Sequence, residues 1–116
     1  MPNVIIYHNP RCSKSRQTLQ LLQEHNITPT IIEYLKNPPS ESEIKTLLKQ
    51  LDMSPRDLMR KGEAVYKENN LNDNSFSDKQ LIEAMVTNPV LIERPIVVAN
   101  GQTRIGRPPE KVLEIV

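Results

Sequence analysis

An abrupt change of character at residues 8–13 constrains the fold more than any other feature of the chain. The run Val4-Ile5-Ile6-Tyr7 is short and continuously apolar, the pattern of a central strand buried on both faces. It gives way at once to His8-Asn9-Pro10-Arg11-Cys12-Ser13, a turn rich in breakers. The spacing beyond it predicts a helix from about Ser15 to His25, with Leu19, Leu21 and Leu22 on or near its inner side. Pro29 to Tyr34, centred on Ile31 and Ile32, reads as a second strand. Two strands joined by a helix predict a parallel, right-handed unit.

The rest of the chain is helical before it returns to strands. Asn37-Pro38-Pro39 ends the second strand. Ser40 and Glu43 then form a capping box ahead of Ile44, Leu47, Leu48 and Leu51 at helical spacing. A shorter helix is expected to begin at Ser54-Pro55, with proline at its first position, and to run to about Lys61, ended by Gly62. Ser77 opens an amphipathic helix carrying Leu81, Ile82, Met85 and Val86, stopped by Asn88-Pro89. Ile96-Val97-Val98 and Gln102 to Ile105 flank Asn100-Gly101, a strong hairpin signal. A last helix from Pro108 to Ile115 carries Val112 and Leu113, with Val116 beyond it. The pattern is α/β: a small mixed sheet with helices packed on it, in one domain over residues 1–116.

Charge and composition narrow the function. Fifteen basic and 14 acidic side chains leave a formal net charge of +1. A nucleic-acid-binding domain carries a strong basic excess and stacking aromatics, and neither is present. No stretch approaches the ~18 apolar residues of a membrane span. Met1-Pro2-Asn3 offers no basic n-region, so no signal peptide and a cytoplasmic location are expected; a near-neutral chain with no exposed apolar run is expected to be a monomer. His8 and His25 with one cysteine make no zinc pattern, so no metal is expected.

The single cysteine carries the chemistry. A lone cysteine is most often a small buried hydrophobe, but Cys12 stands where a strand turns into a helix. Helix N-terminal N–H groups and nearby cations favour a thiolate; Arg11, Lys14, Arg16 and His8 are its neighbours in sequence. Ser15 occupies the place of the second cysteine in a dithiol motif, so an internal disulfide cycle is impossible. Cys12 to Arg16 also lacks the spacing of a phosphatase loop. The thiolate must attack an external centre and be resolved by an outside thiol. Arg60, Arg94 and Arg107 are surface residues taken singly; together they would make a multidentate oxyanion site. Glu93-Arg94-Pro95 has room for a cis peptide bond at the edge of the sheet.

Four separated strings bring in a family. Tyr7-His8-Asn9-Pro10-Arg11-Cys12, Leu58-Met59-Arg60-Lys61, Glu93 to Val98 and Arg107-Pro108-Pro109-Glu110 resemble the glutaredoxin-dependent arsenate reductase family over essentially the whole chain. With Arg11, Ser13 and Lys14 around the cysteine, the likeness is to its housekeeping sub-branch. The resemblance implies a thioredoxin-like mixed four-stranded sheet with an inserted helical region at roughly residues 38–90, and Pro95 as the cis-proline of that fold. It implies Cys12 as the catalytic cysteine, Arg60, Arg94 and Arg107 as oxyanion-binding arginines, and His8 as a residue that tunes the thiol, with Ser15 beside it. Arsenate would form a thiol–arsenate adduct on Cys12. Glutathione as co-substrate and glutaredoxin as partner would supply the electrons for its reduction to arsenite, serving arsenic detoxification, with no tightly bound cofactor. Two other functions remain open: a glutathione-linked thiol transferase, and a non-enzymatic regulator that binds RNA polymerase. Such regulators often use a Cys-x-x-Cys switch, which Ser15 removes here.

Overall fold

A computed structural model describes residues 4–116; the expectation drawn from Met1-Pro2-Asn3 lies outside them. Contacts divide the chain into two units. One comprises the described residues through Asn37 together with Arg94–Val116, and the other is Pro38–Glu93.

The first unit holds a four-stranded sheet of β1 (Val4–His8), β2 (Thr30–Glu33), β3 (Ile96–Ala99) and β4 (Gln102–Ile105). Their order is β2-β1-β3-β4. β1 pairs in parallel with β2 and antiparallel with β3, and β3 pairs antiparallel with β4. This is the thioredoxin-like mixed sheet that the resemblance implied. The β3–β4 hairpin turns through Asn100 and Gly101, both at positive φ (53° and 73°), as a two-residue turn requires to match strand twist. Asn100 Nδ2 also donates to the Ile115 carbonyl at 2.7 Å, tying the hairpin to the chain's last turn.

Helix α1 (Ser13–Glu24) links β1 to β2. It starts two residues earlier than the apolar spacing predicts, because the backbone of Cys12 already serves as its N-cap. Its inner stripe also differs. Ser15, Thr18 and Leu22 are buried, whereas Leu21 is only half-buried. Leu22 packs with Val4 and Ile6 of β1, Val97 and Ala99 of β3, and Val112 and Ile115. Burying an aliphatic side chain of this kind contributes ~1.5–3 kcal/mol, so this cluster fixes α1 on the sheet. β2 is an edge strand, which leaves Ile31 47% exposed despite its place at the strand's centre. The last helical segment is a 3-10 helix, Pro109–Glu114, not an α-helix from Pro108 to Ile115. At 6 residues it is long for a 3-10 segment; it buries Pro109 and Val112, and Ile115 just beyond it is buried while Val116 stays exposed.

The second unit contains α2 (Glu41–Leu51), α3 (Pro55–Leu58), α4 (Ala64–Glu68) and α5 (Asp78–Thr87). Ser40 with Glu43 and Ser77 with Gln80 form full capping boxes for α2 and α5. Ile44, Leu47 and Leu48 of α2 and Leu81, Ile82 and Met85 of α5 are buried. The expected helix from Pro55 to Lys61 stops at Leu58. Met59 turns extended and bridges Ile92, and the Arg60 N–H donates to the Leu91 carbonyl at 2.7 Å. Partners distant in sequence thus override the local helical pattern, and Gly62 caps nothing. Among the described residues, no helix is long and apolar enough to cross a membrane.

Candidate functional site

The β1–α1 turn places the thiol. The Cys12 N–H donates to the Asn9 carbonyl at 3.0 Å, and the Cys12 carbonyl accepts from the Arg16 N–H at 3.0 Å to begin the helix. Asn9 tightens the same turn, its side-chain oxygen accepting from the Arg11 N–H at 3.0 Å. Cys12 is a free thiol with only 8% of its surface exposed.

Burial by itself pushes the Cys12 thiol up, since it penalises the charged form. The backbone N–H of Ser15, the Arg94 guanidinium and the backbone N–H of Lys14 outweigh it and hold the thiol below its ordinary value of 9.0. Arg107 adds a second guanidinium: its Nη2 lies 3.7 Å from Cys12 Sγ, and its Nε donates to the Arg94 carbonyl at 2.8 Å.

The cations around the sulfur are therefore not those adjacent in sequence. Arg11, Lys14 and Arg16 are exposed, and Arg16 Nη1 is engaged with the Pro10 carbonyl at 3.1 Å. His8 is not a cation at neutral pH either. Burial lowers its pKa below 6.5 and Arg16 lowers it further, against the opposing charge of Glu33, its registered partner on β2. The ring instead shares a hydrogen bond with the hydroxyl of Ser15, which is fully buried. That hydroxyl also accepts from the Asn9 N–H at 3.0 Å. His8 and Ser15 thus brace the turn that carries Cys12, and the expectation of His8 as a neighbouring cation is corrected by its burial.

Arg94–Pro95 is a cis peptide, as is Arg107–Pro108. Pro95 is buried and its carbonyl accepts from the Gly106 N–H at 2.9 Å. Gly106 in turn lies against Thr18 of α1: a Cβ there would stand 2.6 Å from Thr18 Oγ1 and 2.8 Å from Pro95 Cγ. Sequence reasoning passed over both Thr18 and Gly106. The spacing of Ser15, Thr18 and Leu22 along one helical face was the available signal for the first. Arg60 belongs to the Pro38–Glu93 unit, where its guanidinium pairs with Glu63 at 3.1 Å and Glu93 at 3.3 Å. Among the described residues, no group of three or more His, Cys, Asp or Glu side chains is arranged to hold a metal ion.

Taken together, the first unit offers a buried, stabilised sulfur faced by two guanidinium groups, an arrangement suited to nucleophilic attack on an anion. Comparison with known proteins agrees in extent as well as in kind. The ArsC family model matches residues 7–115. The chain is 60% identical over 114 residues to YfgD of Escherichia coli K12, an uncharacterized protein, covering 97% of this chain and 96% of that one. It is 46% identical over 115 residues to the arsenate reductase of Acidiphilium multivorum, covering 99% of this chain and 82% of the relative. A solved structure of arsenate reductase from Vibrio cholerae superposes with a TM-score of 0.96 at 56% identity, covering 98% of each chain.

Proposed function

Because the chain belongs to the ArsC family, we propose that it is an oxidoreductase that reduces arsenate to arsenite through a Cys12 thiol–arsenate adduct, with glutathione and glutaredoxin as reductants. The observation that carries this reading is the meeting of Arg94 and Arg107 at the Cys12 sulfur. An arsenate anion and a thiolate repel one another, and two guanidinium groups at the point of attack offset that repulsion. The relatives named arsenate reductase at 46% identity point the same way.

In this reading the Cys12 thiolate forms an S–As bond and a hydroxyl of arsenate leaves as water with a proton. Glutathione displaces a second hydroxyl. A glutaredoxin thiolate then attacks the glutathione sulfur, and the electron pair of the glutathione–arsenic bond passes to arsenic, which falls from As(V) to As(III). Water releases arsenite and returns Cys12 to its starting state. Two thiols are oxidised to one disulfide, which is held outside this chain, so one cysteine suffices. Arg60 takes the oxyanion-binding role that the resemblance implies, and His8 and Ser15 hold the turn.

The test is NADPH consumption with arsenate, glutathione, glutaredoxin and glutathione reductase. Arsenate-dependent turnover in the wild type and none in Cys12→Ser is the expected result. Equal rates in the two proteins would overturn the reading. One observation favours a second reading, a glutathione-linked thiol transferase. Arg60 is already balanced by Glu63 and Glu93, and a transferase needs Cys12 but not three arginines. Turnover with a mixed disulfide of glutathione, and none with arsenate, would select it.

A further inference from the structure

The first unit contains a cavity of about 390 Å³ beside the Cys12 turn, at the carboxyl ends of β1 and β2. Arg11, Lys36 and Glu33 bring charge to its wall, and Pro10 and Leu35 bring apolar surface. We propose that this cavity is the binding site for glutathione, holding the tripeptide so that its thiol faces the Pro10–Cys12 turn. The proposal rests on the reading that glutathione is the reductant, and assigns it a place.

Position is the first argument. The cavity opens beyond the carboxyl ends of β1 and β2, the parallel pair of this sheet. The pair ends at His8 and Glu33, which face one another in register. A cavity of this size falls within the range of small-molecule sites, roughly 300–1,000 Å³. Pro10 and Arg11 line it and lead directly into Cys12. A tripeptide spans up to about 10 Å, so a ligand seated there lies within reach of the turn.

Charge is the second argument, and it decides between cavities. Reduced glutathione carries two carboxylates and one ammonium at neutral pH, a net charge of −1. The wall offers two cations, Arg11 and Lys36, and one carboxylate, Glu33, with His8 neutral through burial. Each ligand charge thus has an opposite partner. The resting Lys36–Glu33 pair is 3.8 Å long and exposed; such pairs contribute little, so exchanging it for ligand contacts costs little. Leu35, 43% exposed, is one of the few large apolar side chains left open to solvent, and the cysteinyl methylene of the tripeptide would cover it. The groove lined by α1 and residues 108–110 has the opposite character. Two carboxylates, Glu24 and Glu110, line it with one cation, Lys14, and its net negative charge repels the tripeptide.

S-Methylglutathione, which has no free thiol, separates binding from chemistry. Titrated into the intact protein at low salt and followed by amide chemical shifts, it is expected to bind saturably and to move residues 8–11 and 33–36. Arg11→Glu and Lys36→Glu should each weaken it about tenfold, the loss of one charge-assisted contact. Lys111→Glu, the same charge change on the exposed surface of the last turn, should leave it unchanged. Both pocket side chains are exposed, so the variants test the ligand and not the fold. Failure of S-methylglutathione to bind, or equal binding by wild type, Arg11→Glu and Lys36→Glu, overturns the proposal. Coupled turnover separates it from the arsenate reading. Arsenate reduction with a glutathione KM indifferent to Lys36→Glu would sink the pocket and leave the reaction. Charge-sensitive binding without arsenate reduction would sink the reaction and leave the pocket.

Discussion

Gly106→Ala isolates the contact on which the arginine geometry depends. Gly106 has no positive φ to justify a glycine; what it supplies is space. An added Cβ would meet Thr18 Oγ1 at 2.6 Å, Pro95 Cγ at 2.8 Å and Thr18 Cγ2 at 3.1 Å. Ordinary carbon contacts lie at ~3.5–4.0 Å, so about 1 Å has to be found. Neither neighbour gives way easily. Thr18 Oγ1 is held by the Lys14 carbonyl at 2.8 Å, and the buried Pro95 ring can shift its Cγ only by a change of pucker. Overpacking of this kind costs ~1–3 kcal/mol, and at this chain length ~1 kcal/mol corresponds to roughly 4 °C. Thermal unfolding followed by circular dichroism should therefore show Gly106→Ala melting ~4–12 °C below wild type. Thr18→Ala removes the crowding atoms, so the double variant should be more stable than the sum of the single losses by ~1 kcal/mol. Because Gly106 precedes Arg107 and is bonded to Pro95, the same variant should raise the pH midpoint of Cys12 alkylation. A melting temperature within 1–2 °C of wild type, or strict additivity with Thr18→Ala, would refute this account of the contact.

Two predictions concern protonation. The pH midpoint for iodoacetamide alkylation of Cys12 should fall below 9.0 and rise in Arg94→Ala, as measured by stopped-time mass spectrometry. Since the folded value lies below the unfolded one, the thiolate adds stability above the unfolded value that is lost as pH falls through the folded value; Cys12→Ser should lack that pH dependence in denaturant titrations. For His8, a folded pKa below 6.5 means that the unfolded chain binds the proton first. Stability should decline as pH drops from 6.5 toward the folded value, by ~1.4 kcal/mol per unit of separation, and a His8 ring signal titrating at or above 6.5 by NMR would contradict the burial argument.

The parts of this molecule that were legible in the sequence are those whose causes are local. The Val4–Tyr7 run, the Ser40 and Ser77 capping boxes and the Asn100-Gly101 hairpin each declare themselves within a few residues, and each is present. The α3 boundary was not legible, because Met59 leaves the helix to pair with Ile92 far along the chain. The candidate site divides the same way. That Cys12 opens a helix could be read from its neighbours. Which cations it meets could not, for Arg11, Lys14 and Arg16 stand closest in sequence yet point their charge to solvent or to the turn's own backbone.

The guanidinium at 3.7 Å from the sulfur comes from a residue 95 positions away, delivered by the β3–β4 hairpin. That delivery has a physical requirement that sequence motifs do not express. Arg94 and Arg107 flank the hairpin at its two ends, and the Gly106 N–H to Pro95 carbonyl bond at 2.9 Å joins those ends just beyond the last paired residues. The Arg107 Nε to Arg94 carbonyl bond joins them again one residue further out. Two crosslinks over so short a span fix both arginines as one rigid element, and the Thr18–Gly106 contact sets that element against α1. Because α1 also supplies the N–H groups that hold the thiol down, the sulfur and both guanidinium groups share a single frame. A change at Gly106 should consequently disturb all of these contacts together, whereas truncating the exposed Lys14 side chain to Ala, which keeps its N–H and carbonyl in place, should disturb none of them.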